Sequence, residues 1–377
     1  MTKLDRSLKR QQAQRNKQPL WKGPSVDGIT QSMLNAFIIC RERFRVRYIL
    51  GLQPADAFSH RLEYGQMWHL CEESLAQGAD KGNKRDQWAL LDAYRVELCK
   101  RYPLQQEQIL HWYRVCRAQF PVYVDYWRKH KDVKARKALR QEETFAVEYN
   151  LPSDRIVLLR GKWDSVDLIG SGRRAGIWLQ ENKTKGDIDE QQLQNQLHFD
   201  LQTGIYLVAL GKAIEHDPTS WPNARLLGVR YNVIRRPLSG GRHSIRQKKG
   251  QTTEDYYLEL QGRIASEPEW FFMRWNVDVS HEDLDRYKER FLNPILEQLC
   301  DWWEYITSCR NHDPWHWPKG ADCLAGYHHG IHWQTPYGIY NPISDGRGAT
   351  DLDEYLRTGS TQGLERATTL FRELDNG

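Results

Sequence analysis

No run of apolar residues in this 377-residue chain approaches the roughly 20 that a membrane-crossing helix needs. The N-terminus is polar and has no apolar signal core, so neither a membrane protein nor an exported one is expected, and the location expected is the cytoplasm. Cysteine is sparse: seven residues, an odd number, are scattered over the whole length. Such usage argues for reduced thiols rather than a disulfide framework. A Gly-x-x-x-x-Gly-Lys phosphate loop is missing, which excludes a helicase motor within the chain. There is no internal repeat and no low-complexity linker, so a repeat array is excluded and one compact body is the simplest expectation.

What is present is the balance of a globular protein, with 40% hydrophobic and 27% charged residues and a net charge of +5. That charge permits an anionic partner without requiring one. Tryptophan is abundant, 15 residues against 10 Phe; flat amphipathic rings suit stacking on bases, although large cores use them too.

Residues 1 to 28 carry Lys3, Arg6, Lys9, Arg10, Arg15 and Lys17 with almost nothing apolar, and read as a flexible basic tail. From Thr30 or Ser32, the residues Leu34, Phe37, Ile38, Phe44 and Tyr48 recur at helical spacing until Gly51, leaving an outer face of Arg41, Arg43, Arg45 and Arg47. Further helical stretches are expected near 58–77, 84–101 and 105–130. The first of these places Gly65, His69 and Glu73 along one stripe. The period then changes to that of strands at 142–150, 155–169 and 176–183. A Gln-rich helix near 189–213, a strand near 225–236, a helix near 253–266, a strand near 269–279 and a long helix near 281–309 follow. A short helix at about 362–374 closes the chain.

The chemistry-bearing residues gather in two of those strands. Asp164 ends an apolar run in Gly161-Lys162-Trp163-Asp164, and Glu181-Asn182-Lys183 ends Ile177-Trp178-Leu179. Alternation along a strand puts Glu181 and Lys183 on one face. Charges in such surroundings are costly unless they hold a metal or one another. Asp164 and Glu181 offer hard oxygen ligands of the kind Mg2+ or Mn2+ accepts, and the backbone carbonyl of Asn182 could add another. Lys183 is placed to orient a water or contact a phosphate. Taken alone, the triplet could equally be an ion pair on an exposed sheet edge.

The surrounding motifs, in order, resemble the PD-(D/E)XK nuclease superfamily, in particular its RecB-like exonuclease branch with CRISPR-associated and phage relatives. Ser32-x-Leu34 with Phe37, Cys40-Arg41, Phe44 and Tyr48 is similar to that branch's opening helix. Gly65-x-x-x-His69-x-x-x-Glu73 resembles its histidine motif, and Gly161-Lys162-Trp163-Asp164 and Glu181-Asn182-Lys183-Thr184 its two catalytic strands. Asp200-x-Gln202-x-x-x-Tyr206 resembles its Gln-x-x-x-Tyr helix. The resemblance spans about residues 30 to 210. It implies an α/β fold with a restriction-endonuclease-like mixed central sheet flanked by helices. It also implies Asp164, Glu181 and His69 as metal ligands, Lys183 as the catalytic lysine, and Gln202 and Tyr206 as groups that hold the DNA backbone or the acids. An accessory acid is expected at Glu143, with Glu142 and Glu148 as competitors.

Many relatives bind an iron-sulfur cluster through one Cys in the opening helix and three near the C-terminus. Here Cys40 and Cys323 fit two positions, the two close-following cysteines are missing, and a vestigial, clusterless lobe is expected. That lobe, residues 311–377, is rich in Cys, His and Trp and follows a nuclease core at 29–310 carrying a helical insertion at about 58–130. Phosphate contacts are expected from Arg235, Arg236, Lys248 and Lys249, with Arg242 and Arg246 beside them. The function expected is a Mg2+- or Mn2+-dependent deoxyribonuclease, an exonuclease working on DNA ends or single strands in repair, recombination or phage DNA processing. Any unwinding would come from a helicase or recombination protein as partner. Two other classes stay open: a non-catalytic nucleic-acid-binding or scaffold protein on the same fold, and a structural metal-binding module built on the C-terminal Cys/His group.

Overall fold

A computed structural model of the chain describes residues 19–39, 41–54, 58–81, 88–130, 136–172, 175–186, 188–189, 191, 200–221, 225–238, 247–308, 361, 364–367, 369–371 and 374. In chain order the main elements are α1 (Gln31–Ile39), β1 (Leu52–Pro54), α2 (His60–Lys81), α3 (Ala89–Arg101), α4 (Gln106–Arg128), β2 (Arg136–Asn150), β3 (Ile156–Ile169) and β4 (Gly176–Lys185). They continue with α5 (Leu201–His216), β5 (Leu226–Arg235), α6 (Thr253–Ser266), β6 (Phe272–Asp278), α7 (His281–Tyr287), α8 (Asn293–Ser308) and β7 (Leu364–Arg366). No helix among the described residues is long and apolar enough to cross a membrane.

The chain forms two compact units. One comprises residues 1–56, 146–161 and 287–377. Its core is aromatic: the Trp21 ring meets Phe44 and Trp303 edge-on at centroid distances of 5.0 and 4.7 Å, and its indole N–H donates to the Gly28 carbonyl at 2.7 Å. Arg155 is clasped by three acids of α8, Glu297, Asp301 and Glu304. A π-helical turn, Arg45–Ile49, ends the opening helical segment, and it turns Arg45 inward. Arg45 is buried, so the expected basic face loses it, whereas Arg47 remains exposed. The expected helix at 362–374 is corrected as well. Among the described residues Leu364–Arg366 is a strand, antiparallel to Leu52–Pro54, because three residues gain more from ladder hydrogen bonds to an open edge than from an unnucleated helix.

The second unit comprises residues 57–145 and 162–286. Tyr64, Met67, Trp68 and Cys71 recur along α2 at the spacing of one helical face, and Ile109, Trp112, Tyr113, Cys116, Phe120 and Tyr123 do so along α4. These two faces, with Leu91 and Leu98 of α3, make a cluster that extends to Ile234 of β5 and Phe272 of β6.

The five-stranded sheet has the order β2-β3-β4-β5-β6. It is mixed: β3 and β4 are antiparallel, β4 and β5 parallel, and β5 and β6 antiparallel. This is the expected mixed central sheet flanked by helices. β4 lies in the middle of the order, and its residues from Gly176 to Asn182 are all buried, which is why Ile177-Trp178-Leu179 shows no alternation. Gly228, at φ +151°, sits where the β4–β5 register shifts; a Cβ there would lie 2.1 Å from the Val277 carbonyl oxygen, so only glycine fits. The expected strand at 269–279 begins with one helical turn, Pro268–Phe271, because proline suits a first helical position.

Candidate active site

Asp164 lies on β3 one residue before the stretch that pairs with β4, while Glu181 and Lys183 lie on β4 itself. Lys183 Nζ donates to Glu181 Oε2 at 3.1 Å and to Gln202 Oε1 at 2.8 Å, and Gln202 Nε2 donates to that same carboxylate oxygen at 3.1 Å. The triangle is closed from the helix side by a cap. Asp200 accepts from the Thr203 backbone N–H at 3.4 Å and from its hydroxyl at 2.9 Å, which starts α5 and presents Gln202 in its first turn. Asp164 Oδ2 accepts from the Asn182 backbone N–H at 2.7 Å, tying β3 to β4.

Three further groups close around Asp164. His69, on α2, places Nδ1 2.8 Å from Glu142 Oε1 and 3.7 Å from Asp164 Oδ1. Lys162, two residues before Asp164 and so on the same strand face, has Nζ 2.8 Å from Glu142 Oε2. Glu142 is thus the glutamate that faces this group, whereas Glu143 is half exposed and paired with Arg140 at 3.1 Å. The backbone gives the reason. Strict alternation back from the buried Phe145 would aim Glu143 inward, but Glu142 adopts φ +49°, the in-out pattern breaks there, and Glu142 takes the inward place. Glu148 is exposed.

Burial sets the protonation of this group. It pushes the Glu181 carboxyl up to about 8 despite the Lys183 ammonium beside it, and it also raises Asp164. Burial alone would lower His69, but the Asp164 and Glu142 carboxylates outweigh it and carry the imidazole up to about 9. Lys183 likewise resists the effect of burial, because Glu181, Asp164 and Asp200 raise it. Glu142 is held below its ordinary value by His69 and Lys162, against its burial. A metal-free site therefore carries protons that a cation would displace.

The donor set fits such a cation. Among the described residues His69, Glu142 and Asp164 each offer a ligand atom, all within 4.8 Å of one another. Glu181 is not part of that trio, yet its Oε1 is buried with no hydrogen-bond partner among the described residues, which leaves one carboxylate oxygen free to serve. One imidazole among carboxylates suits a hard to borderline divalent ion.

Compared with models of known families, residues 29–310 match that of the PD-(D/E)XK nuclease superfamily. The chain belongs to the PD-(D/E)XK nuclease superfamily. A comparison with curated proteins returned no match. Nucleases of this superfamily use divalent metals, and in this member the His69–Glu142–Asp164 trio could hold one.

The remaining expected residues divide. Tyr206 is buried, with its ring edge-on to Phe145 at 5.2 Å and its carbonyl accepting from the Trp163 indole at 3.4 Å. Arg235 is buried too: its Nε donates to the Trp270 carbonyl at 3.1 Å and its guanidinium lies 3.8 Å from the Trp270 ring centre. Arg236 is also buried. Lys248 pairs with Glu259 at 2.9 Å in an exposed turn, and Lys249 beside it is exposed. Cys40, Cys323, Arg242, Arg246 and almost all of the C-terminal lobe lie outside the described residues. Lys162 was within reach of sequence reasoning, since it stands two residues before Asp164 on the same strand. Glu142 was named only as a competitor of Glu143, because nothing local announces a positive φ at a glutamate.

Proposed function

We propose that this PD-(D/E)XK chain is a metal-dependent deoxyribonuclease of the RecB-like branch that works as an exonuclease on DNA ends. One observation carries the catalytic reading: Lys183 is held at a fixed point by Glu181 and Gln202, on the strand next to the Asp164 that anchors the His69–Glu142 cluster. A decayed or purely structural relative has no need to keep all of these groups together. The exonuclease reading draws its support from the five ordered motifs between Ser32 and Tyr206. Repair, recombination or phage DNA processing is the setting such a nuclease fits, with a partner helicase or recombination protein where unwinding is required.

Asp164, Glu142, Glu181 and His69, with the Asn182 backbone carbonyl, would hold Mg2+ or Mn2+, which supplies Lewis acidity toward phosphate and water when bound. The protein's own part is positional and electrostatic. Lys183 presents its ammonium to the reacting phosphate or to the attacking water, and Gln202 fixes its direction. Lys162 balances Glu142, so that the cluster keeps a carboxylate aimed at the cation without gathering net negative charge that would repel the DNA.

The test is cleavage of end-labelled linear single- and double-stranded DNA and of closed circles, with Mg2+ or Mn2+, by wild type and by Asp164→Ala and Lys183→Ala. Loss of cleavage in both variants with intact folding supports the site. Equal cleavage by all three removes it, and cutting of circles overturns the exonuclease reading.

A further inference from the structure

The two arginines that end β5 differ in one decisive respect. Arg235 is seated on Trp270, but Arg236, 6% exposed, keeps Nε and Nη1 without a hydrogen-bond partner among the described residues. Its backbone N–H donates to the Lys185 carbonyl at 2.7 Å, so it stands at the end of β4 to which Glu181 and Lys183 lead. Its guanidinium lies 5.9 Å from the centre of the Trp112 ring, on which His60 stacks at 5.1 Å. A Cβ on Gly186 would come within 3.0 Å of Arg236 Nη2, so that glycine leaves the guanidinium its room.

What surrounds this arginine is more positive charge. His60 and Arg61 open α2, a 22-residue helix whose first N–H groups carry partial positive charge toward the same place. The acid of that turn, Glu63, is engaged by the Tyr94 hydroxyl. Among the described residues no carboxylate pairs with Arg236; burial presses its pKa down, with Arg61 adding to that and the Tyr64 hydroxyl opposing it. His60 is pressed down in turn by burial, Arg236 and Arg61. A buried guanidinium without a counter-ion is a large penalty for a fold to keep, and a helix N-terminus beside a fork of unused N–H donors is an anion site.

Its place relative to the reaction site is set by α2. Gly65, midway between Arg61 and His69, lies beside Thr184 of β4. From His69 to Arg61 is eight residues, about 12 Å along the axis, or roughly three nucleotides of a stacked strand at about 3.4 Å each. Resting on the nuclease reading above, we propose that Arg236, with Arg61, His60 and the N-terminus of α2, forms a second phosphate subsite that grips the DNA strand a few nucleotides from the scissile bond.

The experiment is a charge scan. A fluorescent single-stranded oligonucleotide, and a set with one phosphate at a time replaced by neutral methylphosphonate, are bound at fixed salt with Ca2+ in place of the catalytic ion. Wild type, Arg236→Met, Arg236→Lys and Arg61→Gln are compared. Arg236→Met should weaken binding about tenfold, and one methylphosphonate position should do the same to wild type. The two losses should not add, and Arg236→Lys should recover part of the affinity. Inorganic phosphate should raise the melting temperature of wild type but not of Arg236→Met, whose own melting temperature should be no lower than that of wild type. Wild-type affinity in Arg236→Met, additive losses at every position, or a fall in its melting temperature with unchanged binding would overturn the subsite. If Arg236→Met does not fold, the same non-additivity is read from Arg61→Gln. Coupled phosphate loss in a protein that cleaves nothing sinks the nuclease reading alone; cleavage with no coupled position sinks the subsite alone.

Discussion

β3 carries two buried aspartates three residues apart, Asp164 and Asp167, whose surroundings are opposite in kind. Asp167, wholly covered, is paired with Arg136 at 2.8 Å and accepts from the Ser165 hydroxyl at 2.8 Å. The contact with Arg136 is close but off the line of a hydrogen bond. Arg136 in turn is kept charged, despite its burial, by Asp167 and Glu72. That is a closed account of charge inside a fold. Asp164 receives one backbone N–H, stands among an imidazole and other carboxylates, and is raised by burial. Its neighbourhood holds more acceptor capacity than the protein uses, and the proposed metal chemistry rests on that surplus.

The comparison can be broken most severely by activity. Asp164→Asn or Lys183→Ala should lower cleavage by about a hundredfold or more without lowering the melting temperature. A variant that cuts at the wild-type rate would erase the distinction between the two aspartates. Asp167→Asn should show the converse. Removing the charged partner of the buried Arg136 should cost about 3–5 kcal/mol in denaturant unfolding, and activity should fall only as folded protein is lost.

The next effect is in pH. The folded values of Glu181, about 8, and His69, about 9, both lie above their ordinary values of 4.5 and 6.5. The stability each contributes is therefore complete below its ordinary value and lost as pH rises through the raised one. The metal-free protein should lose melting temperature from about pH 4.5 to 9, while Mn2+ binding, measured by calorimetry, should tighten and release protons over the same span. Pairing at Asp167 predicts no such metal dependence. The smallest contrast lies within β2: Glu142→Gln should weaken Mn2+ binding about ten- to a hundredfold, whereas Glu143→Gln should leave it unchanged. Equal effects would return the accessory role to Glu143.

Much of this arrangement was legible along the chain. The strands bearing Asp164 and Glu181 announce themselves as apolar runs ending in charge, and alternation places Lys183 beside Glu181 before any coordinates are consulted. The helix carrying His69 follows from its period, and the order of five motifs points to the family. The choice among Glu142, Glu143 and Glu148 was not legible, because one positive φ shifts which side of a strand faces inward. Nor was the fate of the basic residues. Arg45, Arg235 and Arg236 read alike as solvent-facing cations, and all three are buried.

The sequence by itself determined most of the element types, the family and the placement of Lys183 beside Glu181, since those depend on period and on residues two to four apart. Tertiary structure decided which charges are spent. Whether Asp164 or Asp167 is paired with a buried guanidinium, and whether Arg235 or Arg236 keeps donors without a partner among the described residues, depends on partners brought from elements tens of residues away, and in a low-dielectric interior that pairing separates a brace from a site.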